Sequence, residues 1–244
     1  MSELTYSQVL PGHVLVVFGV SGLSFVVRIW LHASQISDYQ LLLPAMKKPF
    51  SQACENNKDP ILAVLKRVLN DKCEVLEIGS GTGQHAVYFA GHLPQITWQP
   101  TDQTIYLPGI SMWIEEAKRD NIKMPVPLDI NDDPWPFTDV EAVFTANTLH
   151  IMSWEEVEIF YDRLGRYLKP GAGFLSYGPF NINGTYTSES NARFDCWLKE
   201  QDPKSAIRDM GALESLGKKA GITLLEKVPM PANNFTLIWK KLIR

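Results

Sequence analysis

From Pro44 to the C-terminus, short runs of β-branched and other apolar residues alternate with longer segments whose apolar residues recur at helical spacing. Short apolar runs are typical of buried strands, and recurrence every three or four positions is typical of amphipathic helices. The pattern predicts strands over residues 74–78, 96–100, 126–130, 140–145, 172–177, 222–228 and 235–242. It predicts helices over residues 84–91, 111–119, 155–168 and 210–220, preceded by one that begins with Asp59 as N-cap and Pro60 at its first position.

The order of these elements predicts the fold class. Strands that alternate with helices are typical of a doubly wound sheet with a mostly parallel core. Only a handful of residues separate the last two predicted strands, too few for a crossover helix, so these strands must pair antiparallel. We therefore expect an α/β, Rossmann-like, doubly wound sheet of seven strands, mostly parallel with an antiparallel C-terminal hairpin strand.

The first 43 residues do not follow this pattern. Residues 14–27 form a mostly apolar run that ends at Arg28. The run is short for a spanning helix, which needs about 20 apolar residues, and burying Arg28 centrally would cost on the order of 3 kcal/mol. We predict an N-terminal extension of uncertain role over residues 1–43 and one domain over residues 44–244. We favour two interpretations of this segment: a buried or peripheral extension, or a start codon placed too far upstream. The alternative is that residues 14–31 attach the chain to the cytoplasmic face of a membrane.

Composition narrows the function classes. A net charge of −4 with no basic stripe argues against nucleic-acid binding, which needs clustered Lys and Arg. Three widely separated cysteines without a C-x-x-C pair indicate neither a disulfide framework nor a zinc site, so we expect a cytoplasmic protein. His85, His92 and His150 lack the spacing of a shared ligand set, so we expect no metal.

The candidate chemistry begins at the turn after the first predicted strand, EIGSGTGQ over residues 77–84. Glycines at the carboxyl end of a strand let the backbone turn sharply and approach a ligand. A dinucleotide-binding G-x-G-x-x-G would need its third glycine at position 84, which is Gln84. Glu77 would repel a pyrophosphate but suits the positively charged amino group and sulfonium of S-adenosylmethionine. Both details disfavour a nicotinamide-dependent oxidoreductase.

The pattern E-x-G-x-G-x-G resembles the first motif of class I S-adenosylmethionine-dependent methyltransferases. Asp102 ends the second predicted strand, where an acid accepts the two ribose hydroxyls of a nucleoside. Asp129, at the end of the third, resembles the acid that pairs with the adenine amino group. The resemblance implies S-adenosylmethionine as cofactor, held by Glu77, Gly79, Ser80, Gly81, Gly83, Asp102, Asp129 and Asn147.

A narrower resemblance covers nearly all of residues 44–244. Its segments are KPFSQACENNKDPIL, VLEIGSGTGQHA, ANTLHIMSW, YGPFNINGTYTSESNARFDCWLK and MPANN. They resemble a methyltransferase-like family without an established substrate. The first and last of these segments are expected near the site, although for MPANN a simple turn rich in Pro and Asn is favoured.

Groups that act on the methyl acceptor are expected beyond the fourth and fifth predicted strands. His150 is the candidate general base because its ordinary pKa lies near neutral, although a merely structural histidine fits equally well. Residues 177–186 are too polar for a core strand and long for a connector, which favours a functional loop. Asn181 is assigned a catalytic role there, and the predicted substrate-binding residues are Tyr177, Tyr186, Asn191 and Asp195.

The sequence leaves two function classes open. The first is methyl transfer to a small molecule or a protein side chain, with the acceptor atom undetermined. The second is a non-catalytic module that binds S-adenosylmethionine or regulates a partner. An intact cofactor loop fits both, whereas the polar segment after the fifth strand favours the enzyme.

Overall fold

The structure, a computed structural model, describes residues 4–10, 13–20, 23–30, 47–69, 71 and 73–243. The chain divides into two compact units, Met1–Lys47 and Lys48–Arg244. In the first unit, strands β1 (Leu4–Leu10), β2 (His13–Val20) and β3 (Leu23–Trp30) pair antiparallel in that order. The apolar run of residues 14–27 is thus divided between two strands, as its β-branched composition allows. No helix among the described residues is long and apolar enough to cross a membrane.

The second unit contains an α/β sheet with helices on both faces. Its helices are α1 (Gln52–Val68), α2 (Gln84–His92), α3 (Leu107–Ala117), α4 (Trp154–Tyr167), α5 (Glu189–Gln201) and α6 (Met210–Lys219). Its strands are β4 (Glu74–Ile78), β5 (Thr97–Asp102), β6 (Val126–Pro127), β7 (Val140–Ala146), β8 (Leu168–Asn181), β9 (Arg208–Asp209), β10 (Ile222–Met230) and β11 (Asn234–Lys241).

The strand order is β10-β11-β8-β7-β4-β5-β6, and the two-residue β9 pairs with the end of β8. Neighbours from β6 to β8 pair parallel, and β11 pairs antiparallel with both β8 and β10. The predicted Rossmann-like sheet and its antiparallel C-terminal hairpin are therefore confirmed, with β9 as a marginal addition to the seven predicted strands. Because β4, β5, β7 and β8 run in one direction, their carboxyl ends share one edge.

Apolar side chains fill the space on both sides of the sheet. Successive residues of a strand point to opposite faces. In β8, Phe174 packs edge to face on Phe160 of α4, with ring centroids 5.6 Å apart. The next residue, Leu175, joins the cluster on the other face that contains Phe89 of α2. Both faces of the central strands are thus covered, so most of their buried residues are apolar, with exceptions such as Glu77 of β4 and Gln99 of β5.

Helix α1 begins earlier than predicted. Its N-cap is Ser51, whose side chain accepts a hydrogen bond from the Cys54 amide, and Pro60 lies inside the helix. The prediction of a start at Asp59 was wrong because Pro60 resembles a first-turn proline. Proline inside a helix removes one backbone hydrogen bond, and contacts between the first turns of α1 and α2, described below, stabilise the segment that precedes it.

Strand β8 is longer than predicted at both ends. It follows α4 directly and includes residues 177–181, which we had predicted to be part of a polar loop. The segment is a strand because Gly178 and Pro179 pair with Phe235 and Asn234 of β11. The rest of the predicted loop, residues 182–186, forms a short turn, and helix α5 follows it, capped by Ser188. The expected long functional loop is therefore a buried strand end and a short turn.

Candidate functional site

The glycine loop joins β4 to α2 at the carboxyl edge of the sheet. Gly79, Gly81 and Gly83 have φ values of 74°, 58° and 87°, a region that favours glycine. A Cβ on Gly79 would lie 2.8 Å from Thr148 Oγ1, and one on Gly83 would lie 3.0 Å from Ile110 Cα. A Cβ on Gly81 would find no atom within 4 Å. Two of these glycines are therefore enclosed by protein, whereas Gly81 faces open space.

Asp102, at the end of β5, reaches across to this loop. Its Oδ2 accepts a 2.7 Å hydrogen bond from the Gly81 amide, and its Oδ1 accepts one of 2.7 Å from the Gln103 amide. Partial burial raises the pKa of this carboxyl, although both backbone donors oppose the rise. The parallel pairing of β4 and β5 brings the predicted ribose acid beside the loop's open glycine.

Glu77 lies under the loop, inside the sheet. Its Oε2 accepts hydrogen bonds from Ser80 Oγ at 2.8 Å and from Trp98 Nε1 at 3.0 Å. Burial raises its pKa to about 7, the two donors lower it, and the charge of Asp102 adds to the rise. Glu77 therefore binds the loop through Ser80, and above pH 7 its charge places a negative potential directly beneath it.

Asp129 follows β6 at the same edge of the sheet. Its Oδ1 accepts hydrogen bonds from the backbone and side-chain nitrogens of Asn131, at 2.8 and 3.0 Å. The neighbouring Leu128 amide donates to the Asp102 carbonyl oxygen at 2.9 Å. Asp129 thus caps its own turn. It lies close to β5 because its neighbour Leu128 is hydrogen-bonded to Asp102.

The first turns of α1 pack against the start of α2. Gln84 Oε1 accepts from the Ser51 amide at 2.5 Å, and Gln84 Nε2 donates to Glu55 Oε1 at 2.8 Å. His85 Nε2 lies 2.7 Å from Asn57 Oδ1. Burial lowers the pKa of His85 to about 4, so this histidine is neutral at physiological pH. The segment KPFSQACENNKDPIL, expected near the site, therefore lies beside the glycine loop. It is bound through Gln84 and His85, to which we had assigned no role.

Tyr177 connects three distant segments. Its hydroxyl interacts with the side chains of Asn57 in α1 and Asn234 at the start of β11. In the preceding turn, the Asn233 carbonyl oxygen accepts a 3.1 Å hydrogen bond from Asn191 Nδ2 of α5. The structure thus brings the Asn-rich turn, favoured as a simple turn on sequence grounds, into contact with predicted substrate-binding residues.

Asn147 and His150 follow β7. They lie next to the glycine loop because Thr148, between them in the chain, lies directly against Gly79. Asn147 has φ of 57°, and its amide donates to the Tyr177 carbonyl oxygen at 2.8 Å. A Cβ built on Gly178 would lie 3.7 Å from His150 Nδ1 and 3.8 Å from Asn147 Oδ1. Both polar atoms therefore face the vacant side of Gly178.

The environment of His150 is apolar and positively charged. Burial, with the nearby Arg208 guanidinium, lowers the pKa of His150 to about 4. Neither ring nitrogen has a hydrogen-bond partner within the described part of the chain, so no carboxylate there orients the ring as in nucleophile–base pairs. Arg208, to which sequence reasoning assigned no role, donates to the carbonyl oxygens of Leu149 and Lys204 at 3.1 and 3.0 Å. It also donates to the Met152 carbonyl oxygen.

Asn181, Tyr186 and Asp195 cluster around the chain segment that leads into β9. Asn181 Nδ2 donates to the Ile207 carbonyl oxygen at 3.4 Å, and its buried Oδ1 has no hydrogen-bond partner among the described residues. Asp195 accepts from the Ile207 amide at 2.6 Å, from the Tyr186 hydroxyl at 2.7 Å and from Lys199 Nζ at 2.6 Å. Burial raises the pKa of Asp195, but these donors outweigh it and leave the pKa lowered. Asp195 therefore joins α5 to the strand that carries Arg208.

Other parts of the described chain offer weaker candidates. A surface cleft lined by Glu74, Thr138 and Lys169 lies at the amino edge of the sheet, away from the loops that bind ligands in such folds. No group of three His, Cys, Asp or Glu side chains among the described residues is arranged to hold a metal ion. The carboxyl edge is therefore the candidate site.

Comparisons with known proteins bear on the family and the fold. A family model described as a protein of unknown function, DUF938, matches residues 48–241. The S-adenosylmethionine-dependent methyltransferase SibL superposes with a TM-score of 0.67 at 20% identity, covering 78% of this chain and 56% of SibL. An O-methyltransferase family protein from Burkholderia thailandensis gives 0.68 at 15% identity, covering 76% and 56%. The mitomycin 7-O-methyltransferase MmcR gives 0.63 at 14% identity, covering 74% and 53%.

These likenesses establish the fold. The described sheet has the architecture of class I methyltransferases, at sequence identities of 20% or less. The matched region spans a little over half the length of each of those proteins.

Proposed function

We propose that this chain, which belongs to the DUF938 family of proteins of unknown function, transfers a methyl group from S-adenosylmethionine to an acceptor. The observation that carries the proposal is the pairing of Gly81 with Asp102. An open glycine loop lies beside a carboxylate that already accepts a backbone hydrogen bond, at the carboxyl edge of a class I methyltransferase fold. A carboxylate there can accept both hydroxyls of a ribose.

The residues at this edge fit the cofactor. The open side of Gly81 leaves room for a ligand against the backbone, and buried Glu77 provides a negative potential that suits a cation. The residues that would hold S-adenosylmethionine are Glu77, Gly79, Ser80, Gly81, Gly83, Asp102, Asp129 and Asn147. When bound, S-adenosylmethionine supplies a methyl group on a positively charged sulfur.

The protein's own contribution is to position the acceptor and exclude water. We assign Asn181 to the acceptor side because its buried Oδ1 has no partner among the described residues, and His150 because its ring lies beside Asn147 at the end of β7. Tyr177, Tyr186, Asn191 and Asp195 shape that side through the contacts given above. A small molecule or a protein side chain is proposed as the acceptor, and the mitomycin 7-O-methyltransferase among the fold neighbours is a small-molecule precedent.

The test is isothermal titration of the full chain with S-adenosylmethionine, S-adenosylhomocysteine and NADH in parallel. We expect binding of the first two and none of NADH. Asp102→Asn keeps an oxygen for the Gly81 amide but loses the charged acceptor. Because hydrogen bonds to charged groups contribute about 1.5–3 kcal/mol, affinity should fall roughly tenfold or more.

The matched control is Asp139→Asn. Asp139 precedes β7 at the amino edge of the sheet, and its φ of 53° is one that asparagine adopts readily. This variant should bind as the wild type does. Binding of NADH alone, or equal cofactor affinity in Asp102→Asn and wild type, would refute the proposal.

A further inference from the structure

Arg208 holds the loop after β7 at two points. Its Nε donates a 3.1 Å hydrogen bond to the carbonyl oxygen of Leu149, and its Nη2 donates to that of Met152. These two carbonyl groups lie one residue before and two residues after His150. Because the guanidinium group is planar and its N–H groups have a fixed arrangement, binding at both points fixes the backbone that carries the His150 ring.

The two carbonyl oxygens between those points are bound by the same short segment of the chain, residues 205–208. The Ala206 amide donates to the His150 carbonyl oxygen at 3.0 Å, and Ser205 Oγ donates to the Ile151 carbonyl oxygen at 2.7 Å. Four successive carbonyl groups of the loop therefore have partners in residues 205–208, which we call the clamp segment. Backbone carbonyl groups that are removed from water need such partners, so the clamp segment stabilises this conformation of the loop.

The clamp segment is also bound to elements that we assign to the acceptor side. The Ile207 amide donates to Asp195 Oδ1 of α5 at 2.6 Å, and Asn181 Nδ2 donates to the Ile207 carbonyl oxygen at 3.4 Å. Arg208 pairs with Phe180 where β9 runs parallel to the end of β8. The clamp segment therefore joins the loop after β7 to the end of β8 and to helix α5.

The charge and the geometry of Arg208 are separable properties. Arg208 is buried, and all its hydrogen bonds in the described part of the chain go to backbone carbonyl oxygens, including that of Lys204 at 3.0 Å. Asp195, Glu155 and Glu156 act on it electrostatically and raise its pKa, although burial outweighs them. A lysine at this position would keep the positive charge but lacks the planar group that spans two carbonyl oxygens.

We propose that Arg208 is a positioning residue, which acts through the loop after β7 to hold the His150 ring at the acceptor side of the site. The inference rests on the proposed function, since only a methyl acceptor gives the position of this ring a chemical purpose. If Arg208 served stability alone, its replacement would lower the free energy of unfolding and leave the surroundings of the His150 ring unchanged. The surroundings of the ring are therefore the property to measure.

The test is the titration of His150 in the ¹⁵N-labelled full chain, followed through the imidazole nitrogens by NMR from pH 5 to pH 8. The His150 resonances are assigned by their absence in His150→Gln. Burial, with a smaller effect from the charge of Arg208, lowers the pKa of His150 to about 4. In the wild type, the ring should therefore stay neutral over most of this range.

Arg208→Lys should let water reach the ring while it keeps the charge. The pKa of His150 should then rise toward its ordinary value of 6.5, by about one pH unit or more. The matched control is Arg163→Lys, since Arg163 in α4 is equally buried and donates to the Asp132 carbonyl oxygen. The control should leave the His150 titration unchanged. An unchanged titration in Arg208→Lys, or an equal rise in the control, would overturn the proposal.

A measurement on the wild type decides the matter if Arg208→Lys does not fold. The Ala206 amide, which donates to the His150 carbonyl oxygen, should exchange its hydrogen only through global unfolding, because the clamp segment and the loop stay together. Native-state hydrogen exchange at increasing urea concentration measures this. Exchange through a local opening about tenfold or more frequent than global unfolding would refute the positioning role.

Titration of the wild type with S-adenosylhomocysteine separates the two proposals. Ligand binding together with an unchanged His150 titration in Arg208→Lys would refute only the role of Arg208. Absence of ligand binding would refute the proposed function, whether or not the pKa of His150 changes in the variant.

Discussion

The backbone amide of Ser51 donates a hydrogen bond to the side-chain oxygen of Gln84 at 2.5 Å, although 33 residues separate them. The contact joins the N-cap of α1 to the first residue of α2, directly after the glycine loop. It explains why Gln84 stands where a dinucleotide fingerprint has its third glycine. Its side chain occupies the space between two helix starts.

The first prediction concerns this contact. Gln84→Ala removes the acceptor of the Ser51 amide and the donor to Glu55 in a buried position, so the free energy of unfolding should fall by about 1–3 kcal/mol. Urea denaturation measures the change. The control is Gln95→Ala, since Gln95 donates a single hydrogen bond to the Leu69 carbonyl oxygen, and its loss should be smaller. Equal losses of unfolding free energy in the two variants would show that the Gln84 contacts contribute no more to stability than the single hydrogen bond of Gln95.

The second prediction concerns the pH dependence of stability caused by Glu77. Its pKa rises from 4.5 to about 7 on folding, so between these pH values the folded protein binds more protons than the unfolded chain. The free energy of unfolding due to this group therefore falls as pH rises through that window, by roughly 3 kcal/mol in all. Glu77→Gln keeps an oxygen for Trp98 and Ser80 but cannot ionise.

Chemical denaturation of both proteins from pH 4.5 to pH 8 provides the measurement. The variant should gain stability relative to the wild type as pH rises, since all other titrating groups are shared. A difference that stays constant with pH would mean that Glu77 is ionised throughout.

The third prediction has the opposite sign and concerns His85. Burial lowers its pKa from 6.5 to about 4, so the unfolded chain binds more protons between these values. Stability that is present above pH 6.5 is therefore lost as pH falls toward 4, by roughly 3 kcal/mol for this group. His85→Gln should lose less stability on acidification than the wild type. Parallel acid unfolding curves would contradict the assignment of a neutral, buried imidazole.

The fourth prediction compares two loop glycines. Gly83→Ala places a Cβ 3.0 Å from the backbone of Ile110 at a positive φ, so it should lower the free energy of unfolding by more than about 2 kcal/mol. Gly81→Ala meets nothing within 4 Å and should cost only about 1 kcal/mol from its positive φ. Its methyl group nevertheless projects into the proposed cofactor space.

We therefore expect Gly81→Ala to weaken S-adenosylhomocysteine at least tenfold in isothermal titration, with a nearly normal melting temperature. If Gly81→Ala bound the ligand like the wild type, the open side of the loop would not be the cofactor side.

The class of fold and the glycine loop could be predicted from sequence because each rests on local pattern. Most residues of the buried strands β4, β7 and β8 are apolar, and a loop with three positive φ values needs glycine at fixed positions. The position of Asp102 followed as well, because the last residues of adjacent parallel strands meet at one edge.

The sequence alone determined the α/β sheet, its C-terminal hairpin and the glycine loop beside Asp102. Only the tertiary structure decided that Pro60 lies within a helix, that residues 177–181 are a strand, and that Asn147 and His150 meet over Gly178. Each of these depends on partners far away in the chain, such as Gln84 for the start of α1 and β11 for the end of β8. Local propensity is worth about 1 kcal/mol or less per residue, so such distant contacts override it, and the residues themselves do not reveal which contacts will form.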